Sequence, residues 1–281
     1  MANIVERPLR NPLSRRERAR VREKVRPEND ADIRVSRFHK NVRWIHHLST
    51  IYGGRGFLRS HRNYPRSTQD RIDLRIETLI VGPLQTNAYI ILDEASGEAA
   101  VVDPGAAGLR ISDAIEAAGA TLKFILTTHG HADHTGGAFD LQRKAGGEYV
   151  VGEGDRSQIE SPPSSLAAMI PGFANPPAID RPVTGGEHLE IGDTRIFVIA
   201  TPGHTPGSVC YLAGQAIFTG DTLFQNSIGR YDLPGGDGDQ ELQSIRDNLL
   251  TLPNQMIVYP GHGPSSTIGE ERANNPFLQG V

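Results

Sequence analysis

From about Asp73 onward, short apolar runs alternate with Gly, Pro and Asp, a rhythm that predicts strands closed by turns. Nine runs read this way: "LRIETLIVG", "AYIILD", "EAAVVDPG", "KFILTTH", "EYVVGE", "TRIFVIATPGH", "GSVCYLAG", "AIFTGD" and "QMIVYPGHG". Helical spacing falls between some of them. "GLRISDAIEAAG" is expected to put Leu109, Ile111, Ile115 and Ala118 on one side, with Gly119 as its stop. "GGAFDLQRKAGG" behaves similarly, and "DQELQSIRDNLLTLP" carries Leu242, Ile245, Leu249 and Leu250 as a stripe. Many strands with few helices predict an α+β chain, with packed sheets and helices outside them. One connection, "GDRSQIESPPSSLAAMIPGFANPPAIDRPVTGGEH", is long and proline-rich. It is either an excursion or, the reading adopted, a lid over a site.

Charge divides the chain. Residues 1–72 carry 18 of the 29 Lys and Arg against 7 of the 33 Asp and Glu, a balance of +11. Residues 73–281 carry 11 against 26, a balance of −15, so two physically different regions are expected. In the first, "LSRRERARVREKVRPEND" suits a short charged helix ended by Pro27, and Gly53, Gly54 and Gly56 interrupt the weakly apolar stretch beyond it. Residues 1–72 are therefore expected to form a basic, mostly disordered N-terminal arm, and residues 73–281 the folded domain. The arm is read as a solvated extension; the other reading is contact with nucleic acid or another acidic partner. Acidic residues scattered through it argue against a mitochondrial presequence. No run reaches the roughly 18 apolar residues that span a bilayer. The start of the chain also lacks the apolar segment of a secretory signal. A single cysteine, Cys210, excludes an internal disulfide framework and fits a reducing cytoplasm, the expected location. On its strand it reads as a small core residue.

Chemistry collects at "TTHGHADHTGG". Past the end of a strand, His129 and His131 share a direction because extended side chains alternate. Asp133 and His134 follow at the turn into a helix. Imidazole and carboxylate suit zinc and other first-row metals, and four ligands exceed what one tetrahedral ion takes from the protein when it keeps a position open for water. The spacing therefore points to two adjacent ions. Further donors follow other strands on stiff Gly/Pro loops: His204 in "TPGHTPGS", Asp221 in "FTGDT" and His262 in "YPGHGP". His188 reads as an ordinary hydrogen-bonded histidine, and His39, His46, His47 and His61 lack ligand spacing.

The set T-H-x-H-x-D-H, T-P-G-H-T-P-G-S, F-T-G-D-T and P-G-H-G resembles the metallo-β-lactamase superfamily over about residues 73–281. "SIGRYDLPGGD" and "GHGPSSTIGEERANNPFL" resemble its short, single-domain glyoxalase II (hydroxyacylglutathione hydrolase) branch. The resemblance implies an αββα sandwich holding two divalent ions, zinc first, with iron or manganese as the other choices. It implies His129, His131 and His204 on one ion, Asp133, His134 and His262 on the other, and Asp221 bridging them. Asp133 and Asp221 are the candidate catalytic carboxylates. Asp103, with Thr128 and Thr205, would support the imidazoles from behind. Arg230 and Tyr231 are the candidate substrate contacts; for Arg230 the competing reading is a surface pair with Asp232.

The implied reaction is attack by a metal-bridging hydroxide on a small-molecule thioester such as S-lactoylglutathione. Thiol pKa values near 8.5 make the thiolate a good leaving group, so no strong general acid is required. The sequence departs from the long form of the family, whose helical C-terminal domain supplies much of the glutathione site, since it ends about 19 residues after His262. Two rival reactions share the scaffold. A mononuclear-iron persulfide dioxygenase is disfavoured by His262 and "GRYDLPGGD". An RNase-Z-like phosphodiesterase, and nucleic acid as a partner, are disfavoured by the −15 balance of the catalytic region.

Overall fold

The computed structural model describes residues 34–37, 74–162, 167–168, 170 and 173–279, all within the unit Asp32–Val281. A first sheet has seven strands in the order β1-β2-β3-β4-β5-β6-β7. They are β1 (Arg34–Arg37), β2 (Leu74–Val81), β3 (Thr86–Asp93), β4 (Glu98–Val102), β5 (Thr121–Leu126), β6 (Glu148–Gly152) and β7 (Arg181–Val183). Pairing is antiparallel from β1 to β4 and parallel from β4 to β7. A second sheet of six strands runs β15-β14-β11-β10-β9-β8. These are β8 (His188–Ile191), β9 (Thr194–Ala200), β10 (Val209–Ala213), β11 (Ala216–Gly220), β14 (Ile257–Pro260) and β15 (Ser266–Thr267). β12 (Leu223–Phe224) and β13 (Ser227–Ile228) make a small separate hairpin.

The layers arise from strands that are apolar on both faces. Ile76, Tyr89, Ile91, Phe124 and Leu126 of the first sheet meet Val198, Tyr211, Phe218 and Tyr259 of the second in one core. The alternate residues Ile90, Leu92, Val101, Ile125 and Tyr149 point the other way, onto Ile111, Ile115 and Leu141 of helices α1 (Gly108–Ala117) and α3 (Ala138–Ala145). On the far side Cys210, Leu212, Ile217 and Val258 pack on Ile245, Leu249 and Ile268. Those belong to α5 (Gly238–Ser244), which continues as a π turn over Ile245–Leu249, and to α6 (Ile268–Asn274). Helix, sheet, sheet, helix is the four-layer αββα architecture. Covering both faces of a strand makes its sequence read as a continuous apolar run.

Several expectations change in detail. Among the described residues there are fifteen strands; the six beyond the nine apolar runs are β1, β7, β8, β12, β13 and β15, mostly too short to show a period. β1 comes from inside the segment expected to be a disordered arm and pairs antiparallel with β2. The other residues up to 73, with His39, His46, His47, His61 and the helix expected before Pro27, lie outside the described residues. Leu109 is 49% exposed, so the buried stripe of α1 is Ile111, Ser112 and Ile115. Gly108, not Leu109, is the buried position of the first turn, a three-residue step before Ile111. Helix α6 was not anticipated, although "TIGE" has the capping-box sequence pattern: Thr267 caps it, its Oγ1 accepting from Glu270 N at 3.2 Å and donating to Glu270 Oε2 at 3.0 Å.

The proline-rich connection is not a free lid along its whole length. It opens in a 3-10 turn (Glu153–Asp155) and helix α4 (Arg156–Glu160), and its end joins the first sheet as β7. Phe173 packs near Gly136, at the end of the short helix α2 (Ala132–Thr135). Residues 163–166, 169 and 171–172 lie outside the described residues.

Candidate metal centre

Parallel strands end at the same sheet edge, and here both sheets use that edge. β4, β5 and β6 run parallel in one sheet; β9, β11 and β14 share a direction in the other. The loops after β5, β9, β11 and β14 carry His129 to His134, His204, Asp221 and His262. Main-chain bonds tie the edges together: Val209 N donates to Thr128 O at 2.8 Å, Asn87 N to Gly261 O at 2.7 Å and Gly261 N to Gly220 O at 2.7 Å. Two tyrosines cross the core to the same place, Tyr211 Oη donating to Thr127 O at 3.0 Å and Tyr89 Oη to Pro260 O at 2.6 Å.

All seven donors expected from the sequence converge. His131 Nδ1 lies 3.0 Å from both His129 Nε2 and His204 Nε2. One ring nitrogen cannot serve two such neighbours and leave all three satisfied, so three nitrogen donors face a common point. Beside them His262 Nε2 lies 3.2 Å from Asp133 Oδ2, and His134 Nε2 lies 3.5 Å from the same oxygen. Asp221 sits between the groups. Its Oδ2 is 3.8 Å from His204 Nε2, and its Oδ1 is 3.3 Å from His134 Nε2 and 3.6 Å from His262 Nε2. Ligand atoms of three overlapping sets lie within 4.8 Å of one another: His129–His131–His204, His129–His134–Asp221 and Asp133–His134–His262.

The donor set suits cations. His134 Nε2 and Asp221 Oδ1 are buried with no hydrogen-bond partner, an arrangement costly in an apolar interior unless an ion satisfies both. Burial, then the neighbouring histidines, push His129 well below the ordinary imidazole value and His131 down to about 4, which keeps both rings neutral. Burial works against a charged His134 too, but the carboxylates of Asp221, Asp133 and Asp103 outweigh it and raise that ring. Burial alone would raise Asp133, yet His134 and His262 hold its carboxyl well below the usual range.

Behind the candidate ligands, Asp103 lies against Thr128 and His134. It accepts Thr128 N and Thr128 Oγ1, each at 2.8 Å, and lies 2.9 Å from His134 Nδ1. Its backbone is left-handed, with φ of 50°, a conformation disfavoured for a residue with a Cβ and retained here by those bonds. Thr128 Oγ1 also lies 3.1 Å from His129 Nδ1. Thr205 is a correction. Its hydroxyl does not reach an imidazole; it bonds Asp155 and Ser208, each at 2.7 Å. His204 is held instead by the main chain, Nδ1 lying 2.7 Å from Arg230 O, and His262 Nδ1 lies 3.1 Å from Leu84 O. Carbonyls carry no sequence signal, so neither contact was legible.

The Arg230 side chain turns outward into a two-pronged pair with Asp232, at 2.8 and 2.9 Å. That is the pairing of the competing surface reading. Tyr231 is 47% exposed. Cys210 is buried, its thiol pushed up to about 12 by burial, as suits a core residue. His188 is half exposed, 3.5 Å from Glu190. Glu241 was not anticipated. It is fully buried, close to Gly203 and Gly229, and neither carboxylate oxygen has a hydrogen-bond partner. Burial, with Asp221 nearby, pushes it up to about 8 against the pull of the adjacent Gly229 amide. Its spacing on an amphipathic helix looks like any half-exposed glutamate.

The family model of the metallo-β-lactamase superfamily matches residues 81–262, and the chain belongs to that superfamily. Among curated relatives, a hydroxyacylglutathione hydrolase, GloC, of Haemophilus influenzae is 38% identical over 211 residues, spanning 73% of this chain and 98% of its own. Among solved structures, the BLEG-1 B3 metallo-β-lactamase is 38% identical with a TM-score of 0.67, covering 73% of this chain and 100% of its own. TTHA1623, solved in a di-iron-bound form, is 34% identical with a TM-score of 0.64, covering 72% and 99%. No helix among the described residues is long and apolar enough to cross a membrane.

Proposed function

We propose that this protein is a two-metal hydrolase that opens thioesters of the S-(2-hydroxyacyl)glutathione class. The observation that carries the reading is Asp221, whose two oxygens face two different donor groups, His204 on one side and His134 with His262 on the other. His129, His131 and His204 would hold one divalent ion, and Asp133, His134 and His262 the second. Such ions supply a Lewis acid and a water acidic enough to ionise near neutral pH. The chain's own part is to keep His129 and His131 neutral, to aim His134 through Asp103 and to aim His204 through the Arg230 carbonyl.

The leaving group decides among substrates. An amide nitrogen must be protonated as it departs, whereas a thiolate needs no proton near neutral pH. The likeness to GloC favours the thiolate leaving group, and the likeness to the BLEG-1 B3 metallo-β-lactamase makes β-lactam opening the rival outcome of the test. Thiol recognition would fall to the exposed Tyr231 and to Arg230 once freed from Asp232.

Purified protein, assayed for bound metal, S-lactoylglutathione hydrolysis, opening of a chromogenic β-lactam and oxygen uptake with glutathione persulfide, tests this. Two ions per chain with thioester hydrolysis is expected. One iron with oxygen consumption, or β-lactam opening without thioesterase activity, overturns it.

A further inference from the structure

Asp155 stands just past the end of β6, at the foot of the proline-rich connection, and is 2% exposed. Its Oδ2 accepts the Gly130 N–H at 2.7 Å and the Thr205 hydroxyl at 2.7 Å. Its Oδ1 accepts the Gly207 N–H at 2.7 Å. Gly130 is the residue between His129 and His131, and Thr205 and Gly207 come just after His204. One carboxylate therefore grips both loops that deliver the three histidines, one loop from each sheet. The bonds are short and end on an ionisable acceptor, the stronger kind.

Backbone packing supports the same geometry. A Cβ on Gly152 would fall 1.9 Å from Gly207 O, and one on Gly154 would fall 2.6 Å from Pro206 O. A Cβ on Gly207 would fall 2.6 Å from Asp155 Cγ. Bare main chain at these positions lets the end of β6 press directly on the His204 loop, which brings the carboxylate within reach of both partners. Asp103 offers the contrast. It touches an imidazole of the other half, His134, directly, and reaches the three-histidine half only through Thr128, whose hydroxyl lies against His129. Asp155 bonds the main chain and a hydroxyl around the three histidines rather than their rings.

We propose that Asp155 is a positioning residue that sets the separation of the His129–His131 loop from the His204 loop, and through it the affinity of the three-histidine half for a divalent ion. The inference rests on the reading of that half as a metal site. Asp155→Asn is nearly isosteric but turns an NH₂ group toward an N–H donor, replacing a bond with opposed dipoles.

The test uses the full chain, stripped with a chelator and titrated with Co(II) or Zn(II) against a chromophoric competitor. His262→Ala leaves the three-histidine half complete, and His204→Ala leaves the mixed half. In the first background Asp155→Asn should weaken metal binding about 10- to 100-fold and alter the cobalt absorption spectrum; in the second, affinity should stay within about twofold. Asp103→Asn should weaken binding most in the second background and less in the first, which it reaches only through Thr128. Thr205→Val removes one of the three bonds to Asp155, along with the contact to Ser208, and should cost about fivefold at the three-histidine half; it decides by the same criterion if Asp155→Asn does not fold. Unchanged affinity in the first background, or equal weakening in both, overturns the inference. A parent chain that binds two ions separates that failure from one that binds none, which overturns the metal reading as well.

Discussion

The two halves of the centre are built from similar parts and differ in charge. His129, His131 and His204 form an all-imidazole group in which burial and mutual repulsion keep His129 and His131 neutral. Asp133, His134 and His262 form a mixed group in which carboxylates raise His134 despite its burial. In the first half the rings need exact placement more than charge, and their supports are Thr128, the Arg230 carbonyl and, through the main chain, Asp155. In the second half anionic groups attract a cation directly, and Asp103 orients the ring that completes them. The halves meet at Asp221. The same two residue types can therefore make one pocket that depends on geometry and another that depends on field.

The largest expected effect is on the shared residue. Asp221→Ala should lower thioester hydrolysis by more than about 100-fold and release metal from both halves, read by turnover and metal analysis. Loss from one half alone would assign the carboxylate to that half and break the symmetry of the comparison. Asp103→Asn should weaken metal binding about 10- to 100-fold in the mixed half and less in the three-histidine half, which it reaches only through Thr128, measured by chelator competition.

Acidity should separate the halves in the metal-free chain. His131 falls from an ordinary value of 6.5 to about 4 on folding. A depressed pKa contributes stability present above the unfolded value and lost as pH falls, here between pH 6.5 and 4, at about 1.4 kcal/mol per unit. His134 is raised, so its contribution is present below its unfolded value and lost as pH climbs through the folded one. Denaturant melts across that range should show His131→Gln flattening the acid limb and His134→Gln leaving it; the reverse result would invert the assignment. The smallest effect is expected outside both halves. Tyr231→Ala should raise KM a few-fold with kcat nearly unchanged, as loss of uniform binding predicts. A fall in kcat of the same size would bring Tyr231 to the reacting atoms.

Much of the fold and of the centre is legible in the residue pattern. Apolar runs with helices between them point to layered sheets because strands covered on both faces lose their polar alternation. The ligands are legible because each sits on a Gly/Pro loop directly after a strand. Asp103 also follows a strand, but its supporting role is implied by the family resemblance and not by that spacing. Short strands such as β12 and β13 are not, because two residues carry no period. Adjacency in sequence pairs Thr205 with an imidazole, and the fold turns its hydroxyl onto Asp155.

By itself the sequence determined the strand ends, the donor types and the order in which they appear, since these depend on local pattern and side-chain chemistry. Only the tertiary structure decided which donors share a pocket, that Arg230 supports His204 with its carbonyl while its guanidinium pairs with Asp232, and that Asp155 and Glu241 are buried among the loops. Those outcomes depend on two sheets meeting at one edge, where residues far apart in the chain come within a hydrogen bond of one another. No local window contains that distance.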